Sequence, residues 1–294
     1  MDLEKLDIIK NRKGFIAALD QSGGSTAKTL LAYGITDNKY KNENEMFDLI
    51  HEMRKRVLTS PYFTKEKIIG SILFFKTMNS KVDNEYTADY LWNKKKIVSF
   101  LKIDKGLKDL ENGCKLMKGI PDLESQCSLA NKRHIFGTKM RSVIYDDNKD
   151  EIQKLVDQQF AVAKKICKYS LVPIIEPEVD IHSPKKEKIE EILKEMIVNK
   201  LKEWNSNDLI MFKFTIPTKD NFYDDLYNYP CVLRIVALSG GYKTEEACKL
   251  LKNNKHMIAS FSRALLQDLR VSQSDEEFNR VLKNAIDKIY DASI

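Results

Sequence analysis

Glycine and proline are scarce, 11 and 7 in 294 residues. No Gly/Ser linker, low-complexity tract or internal repeat interrupts the chain, which predicts one continuous domain over residues 1–294. Histidine is scarcer still. His51, His134, His182 and His256 are scattered, and none forms an H-x-H or H-x-x-H pair, so no metal and no other cofactor is expected. The five cysteines, Cys114, Cys127, Cys167, Cys231 and Cys248, are odd in number, widely spaced and free of any C-x-x-C. That pattern excludes a disulfide scaffold and reads as reduced, intracellular thiols.

Long apolar runs are also missing. The opening MDLEKLDIIKNRKG has no signal core, and no segment reaches the ~18 apolar residues of a membrane span. A cytoplasmic protein with no membrane partner is expected. No Walker loop and no G-x-G-x-x-G fingerprint occurs. Basic and aromatic residues are not interleaved, so no nucleic-acid partner is expected. Lys and Arg total 49 against 43 Asp and Glu, a net charge of +6 that is dispersed over a solvated surface.

What is present is alternation. Apolar runs at 14–19, 68–75, 97–103, 134–139, 171–176, 208–214, 231–238 and 256–261 are separated by charged stretches of helical length. Continuous apolar runs of four to eight residues read as buried parallel strands. Eight of them in one chain predict an α/β fold, a single (β/α)8 TIM barrel. Residues 151–169, 185–203 and 243–252 carry apolar side chains at helical spacing. A last helix over 274–290 opens on Ser274 and three acids, a capped start. The stretch 36–66 exceeds one crossover and predicts two helices around Ser60-Pro61.

Polar groups collect where the runs end. The first ends in Asp20, followed by Gln21-Ser22-Gly23-Gly24-Ser25. The third carries Lys102, Asp104 and Lys105, the fourth Lys139 and Arg141, and the fifth Glu176-Pro177-Glu178. The sixth holds Lys213, the seventh Ser239-Gly240-Gly241, and the eighth Ser260-Phe261-Ser262-Arg263. In a TIM barrel these C-terminal strand ends surround the active site.

Lys213, between Phe212 and Phe214, reads in isolation as a snorkelling lysine. Among the other strand ends it reads instead as an amine nucleophile, its charged form disfavoured by burial and by Lys139. Glu176 supplies the proton carrier that carbinolamine chemistry needs. Glu178, on the same side of the strand, is expected to hold Lys139 or Lys213. Asp20 is a second carboxylate, and the residues do not decide whether Glu176 or Asp20 is the base for carbon–carbon cleavage. Ser239-Gly240-Gly241, before a helix start, and Ser260, Ser262 and Arg263 on the next strand form a phosphate site. Ser22, Ser25 and Lys102 offer a second. Two anion sites flanking a nucleophilic lysine imply a bisphosphate substrate, and so sugar-phosphate partners.

GFIAALDQSGGS, FLKIDKG, FGTKMRS, VPIIEPEVD, MFKFTIPT, LSGGYKTEEA and ASFSRAL, in that order over almost the whole chain, resemble class I fructose-bisphosphate aldolases, especially the short bacterial form. The resemblance implies reversible cleavage of fructose 1,6-bisphosphate through a Schiff base on Lys213. It gives Glu176 the proton shuttle, Asp20 the C3–C4 chemistry and substrate orientation, and Lys139 charge stabilisation. Arg141 and Glu178 become supporting charges. Ser239, Gly240, Ser262 and Arg263 would take the C1 phosphate; Ser22, Ser25 and Lys102 would take the C6 phosphate. The better-known animal and plant pattern has an Asp-Glu-Ser-Thr-Gly loop where this chain has Asp20-Gln21-Ser22-Gly23-Gly24. It also has a glycine at the position of Ser262 and a longer C-terminal tail ending in tyrosine. Without that tail, a monomer and a homodimer are both compatible. The rivals are another Schiff-base barrel, such as a transaldolase or a deoxyribose-phosphate aldolase, and a non-catalytic binding protein on the same barrel.

Overall fold

The computed structural model describes residues 2–294. Eight parallel strands follow the eight apolar runs: β1 Phe15–Leu19, β2 Ile68–Leu73, β3 Val98–Lys102, β4 Ile135–Ile144, β5 Val172–Val179, β6 Ile210–Thr215, β7 Val232–Leu238 and β8 Met257–Ala259. Each pairs with the next in sequence order. The ring closes where the Ala18 N–H donates to the Phe261 carbonyl at 3.1 Å. The (β/α)8 expectation therefore holds.

The helices form because their apolar residues recur on one face. These are α1 Leu3–Asn11, α2 Gly24–Tyr33, α3 Glu43–Thr59, α4 Leu123–Asn131, α5 Lys149–Cys167, α6 Lys186–Lys202, α7 Thr244–Leu251 and α8 Asp275–Asp291. In α8, Phe278, Leu282, Ile286 and Ile289 are buried, and the Ser274 side chain accepts from the Glu277 N–H at 3.2 Å as the N-cap. The stretch 36–66 departs from expectation. It holds one α-helix, α3, after a single 3-10 turn at Asp37–Lys39. Ser60, extended before Pro61, ends that helix, and too few residues remain before Ile68 for another. β2 stops at Leu73, and Phe75–Asn79 is a helical turn.

Inside the barrel, Ile16, Ala18, Phe100, Ile174, Met211 and Ile258 belong to one cluster, which Ile8 and Ile9 of α1 join. α1 also packs on β2, β3 and β7, and so plugs the N-terminal end. Strand period two then decides what faces the opposite mouth. Two residues beyond Ala18, Phe100, Ile174, Met211 and Ile258 stand Asp20, Lys102, Glu176, Lys213 and Ser260. Lys139 enters the same layer because it registers with Lys102 on one side and Ile174 on the other.

β4 approaches β5 closely at Gly137. A Cβ there would lie 2.1 Å from the Val172 carbonyl oxygen and 3.0 Å from the Phe100 ring. Backbone cannot yield as a flexible side chain can. Gly137→Ala is therefore expected to destabilise the chain by about 3 kcal/mol, the upper range for overpacking a core. Urea unfolding would measure this, and a midpoint within error of wild type would contradict it.

Candidate active site

Four strands place four charged side chains in one chain of direct contacts. Lys139 Nζ lies 2.7 Å from Asp20 Oδ2 and 2.8 Å from Glu176 Oε2. Lys213 Nζ lies 3.1 Å from Glu176 Oε1. All four side chains are under a tenth exposed. Glu176 thus bridges the two lysines, while Lys139 bridges the two carboxylates. The Glu176 Oε2 contact is Coulombic, because Oε2 has no aligned hydrogen-bond donor. Burial works against both Asp20 and Lys139 being charged. For Asp20, Lys139 and Lys213 outweigh burial and hold its carboxyl well below the usual range. For Lys139, Asp20 and Glu176 outweigh it and hold the ammonium well above the lysine range.

The neighbouring elements keep this cluster in place. Gln159 of α5, fully buried, donates to the Glu176 carbonyl at 3.3 Å and to Ser142 Oγ at 3.1 Å. Thr215, two residues past Lys213, accepts from the Val179 N–H at 3.0 Å and donates to the Val179 carbonyl at 2.7 Å, which locks β6 to β5.

Glu178 departs from its expected role. It binds Arg141, not Lys139 or Lys213. Parity brings both carboxylates inward, but Glu178 stands two residues nearer the rim, beside Arg141. Lys102 donates to the Asp104 carboxylate at 2.6 Å and to its carbonyl at 2.9 Å. Ser22 and Ser25 bond each other: the Ser22 N–H donates to Ser25 Oγ at 2.9 Å, and the Ser25 hydroxyl to the Ser22 carbonyl at 2.8 Å. No hydrogen bond joins Lys102 to either serine, so this second trio is close to the cluster without being assembled.

The residues expected to form the first phosphate site are brought together. Gly240 and Gly241 have φ of 61° and 127°. A Cβ at Gly240 would meet Ile181 at 2.6 Å, and one at Gly241 would lie 3.6 Å from Arg263 Nη2, so the two loops face each other. The Thr244 hydroxyl opens α7 and donates to the Ala264 carbonyl at 2.8 Å, latching them. Ser239 and Ser260 are buried, whereas Ser262 is partly exposed and Arg263 exposed.

Sequence reading missed the support of the Asp20 loop. Arg54 of α3 is fully buried. Its Nη1 donates to Thr77 Oγ1 at 2.5 Å, and its Nη2 to the Gln21 carbonyl at 2.6 Å and Gln21 Oε1 at 3.0 Å. Gln21 Nε2 in turn donates to Ser262 Oγ at 2.5 Å. Burial brings the guanidinium down to about 10, opposed by Asp20. The available signal was an arginine in step with Ile50 and Leu58 on the apolar face of an amphipathic helix. Asp104, unassigned from sequence, belongs with Lys102. Among the described residues, no group of three or more His, Cys, Asp and Glu side chains is arranged to hold a metal ion.

Lys139→Met leaves Asp20 and Glu176 facing each other without their shared cation. At neutral pH this is expected to cost about 3–5 kcal/mol, the range for breaking a buried pair. The variant's clustered carboxylates have a raised proton affinity when folded, so the variant gains stability as pH falls through that raised value. Wild type loses stability in the same direction, because Asp20 is held low. The deficit should narrow from pH 7 to pH 4 in thermal melts; a constant deficit would contradict the shared-cation geometry.

A family model described as class I fructose-bisphosphate aldolase of the glycolytic type matches residues 4–215, more than half of the chain. That match takes in Asp20, Lys139, Glu176 and Lys213 and stops before the Ser239 and Arg263 loops. The fructose-bisphosphate aldolase class 1 of Clostridium acetobutylicum is 56% identical over 294 residues, covering all of both chains. The fructose-bisphosphate aldolase of Plasmodium falciparum, solved in complex with TRAP and a small molecule inhibitor, aligns with a TM-score of 0.72. It covers 98% of this chain and 92% of its own at 19% identity, a likeness of fold alone. On the family match and the full-length relative, this chain belongs to the class I fructose-bisphosphate aldolase family.

Proposed function

We propose that the chain cleaves fructose 1,6-bisphosphate reversibly to dihydroxyacetone phosphate and glyceraldehyde 3-phosphate through a Schiff base on Lys213, as one cytoplasmic barrel domain over residues 1–294, monomeric or homodimeric. The observation that carries the reading is the buried chain of contacts Asp20–Lys139–Glu176–Lys213 at the C-terminal mouth of the barrel. The cytoplasmic assignment is supported by five free cysteines. It is also supported by the lack, among the described residues, of any helix long and apolar enough to cross a membrane.

In this reading, unprotonated Lys213 attacks C2 of the open-chain ketone. Glu176, in contact with Lys213, protonates the departing hydroxyl so that the carbinolamine loses water and becomes an iminium ion. A base then takes the C4 hydroxyl proton. The C3–C4 electron pair flows into the iminium, glyceraldehyde 3-phosphate leaves, and an enamine remains. Protonation at C3 and addition of water release dihydroxyacetone phosphate and the free lysine. Asp20 is ionised and tied to Lys139, and a carboxylate of lowered proton affinity is a weak base. Its fitting task is to orient the substrate hydroxyls, which leaves the C4 proton to Glu176. Lys139 keeps its charge throughout and offsets negative charge at the substrate oxygens. The C1 phosphate lies against Ser239, Gly240, Gly241, Ser260, Ser262 and Arg263. The C6 phosphate draws Lys102 and Arg141 from their carboxylates, with Ser22 and Ser25 beside it.

Lys213→Ala should lose several orders of magnitude in rate, and borohydride with dihydroxyacetone phosphate should label wild type on Lys213. Labelling of a different lysine would overturn the assignment. A second comparison separates the two carboxylates. Asp20→Asn should still be trapped by borohydride while cleaving at least ~100-fold more slowly, the scale of a lost orienting contact. Glu176→Gln should slow trapping and cleavage together. Equal trapping rates in both variants would remove Glu176 from imine formation.

A further inference from the structure

Arg54 is hard to explain as packing. Its guanidinium is fully buried, yet the acceptors it contacts are neutral: Thr77 Oγ1, the Gln21 carbonyl and Gln21 Oε1. Its Nε has no partner. A buried charge without an ionic contact costs more than a well-packed apolar side chain of similar volume. What the guanidinium does is dictate the orientation of Gln21. A guanidinium has donors only. Only the amide oxygen of Gln21 can face it, because the flipped amide would set N–H against N–H in a buried site. The amide N–H groups must then face Ser262, and Nε2 donates to Ser262 Oγ at 2.5 Å. A hydroxyl that already accepts from an amide keeps its own proton for another acceptor. Ser262 is partly exposed, and it precedes Arg263, which faces Gly241 across the phosphate loops.

We propose that Arg54 and Gln21 are positioning residues that fix the Ser262 hydroxyl as a hydrogen-bond donor toward a phosphate bound against Ser239–Gly241 and Arg263. The inference rests on the reading that this pocket takes a substrate phosphate, and it deepens that reading. It also accounts for two departures from the better-known family pattern together. Gln21 stands where that pattern has glutamate, Ser262 stands where it has glycine, and here the two side chains touch. A glutamate at 21 would give Arg54 its missing carboxylate. It would also turn the contact round, because the Ser262 hydroxyl would have to donate to it and would then present a lone pair to the phosphate.

The test is Gln21→Glu, with Ser262→Ala and the double variant, all in the full-length chain. The readouts are the inhibition constant of inorganic phosphate, KM and kcat for fructose 1,6-bisphosphate and fructose 1-phosphate, and Tm. Q21E should melt at or above the wild-type temperature. Its phosphate inhibition constant and both KM values should rise on the order of tenfold, the scale of one lost charge-assisted hydrogen bond. A purely structural role would move stability and phosphate affinity together. S262A should weaken phosphate to a similar degree, and Q21E should add little in that background. Plain repulsion by the new carboxylate would persist without the hydroxyl, so additivity overturns the proposal. A wild-type phosphate constant in either single variant also overturns it, and S262A decides alone if Q21E does not fold. Borohydride trapping of wild type with dihydroxyacetone phosphate separates the two levels of inference. Without an adduct on Lys213 the reading of the site falls and this inference with it; an adduct alongside unchanged phosphate binding removes the relay alone.

Discussion

The buried ammonium of Lys139, shared between Asp20 and Glu176, is the contact on which the site depends. Three ionisable groups that close together are stable out of water only if every charge has a partner. Remove the ammonium, and two carboxylates that both touch it must share a proton or move apart. With the ammonium present, Lys139 and Lys213 outweigh burial and hold the Asp20 carboxyl well below the usual carboxylate range. Glu176 is held with one oxygen toward Lys139 and the other 3.1 Å from Lys213. The geometry proposed for imine chemistry therefore follows from an electrostatic requirement before any substrate arrives.

The barrel meets that requirement through strand periodicity. A side chain two residues beyond an interior apolar position must face the mouth, so Ala18, Ile174 and Met211 determine where Asp20, Glu176 and Lys213 point. This is why so much was legible in sequence. Eight apolar runs announced eight strands, and the polar residues ending seven of them announced the mouth. Ser274 with its three following acids announced the start of α8, where the side chain caps Glu277. Each of these features is local and periodic, and each is a statement about a residue's own strand or helix.

The residues that were misread or missed depend on neighbours distant in sequence. Parity told correctly that Glu178 faces inward with Glu176, but not that Arg141 on β4 stands beside it at the rim. The trio of Ser22, Ser25 and Lys102 was grouped by chemistry. In the folded chain, Asp104 two residues away competes for the lysine, and the two serines satisfy each other. The second helix expected after Pro61 failed on length, since the return to β2 leaves room for a turn only. Arg54 carried a signal in its step with Ile50 and Leu58, yet its partners Gln21 and Thr77 follow two other elements, β1 and β2, that only the pairing of those strands brings together.

The placement of formal charge at the mouth ties these observations into one argument. Asp20, Asp104, Glu176 and Glu178 each touch a cation: Lys139, Lys102, both lysines 139 and 213, and Arg141 respectively. Among the described residues, neither Arg54 nor Arg263 is in an ion pair. Both act on one stretch of surface, Arg54 through Gln21 and Arg263 directly beside Gly241. A dianion arriving there would meet the exposed Arg263, whose charge need not be taken from a carboxylate, with the buried Arg54 behind Gln21. One arriving at Lys102 or Arg141 must first compete with a carboxylate. On the proposed reading, this asymmetry would make the Ser239–Arg263 side the preorganised anchor and the Lys102 side the adjustable one. A sugar bisphosphate fixed first by the phosphate nearer its ketone would present C2 to Lys213 before its other end had settled, the order that attack by the lysine on that carbon requires.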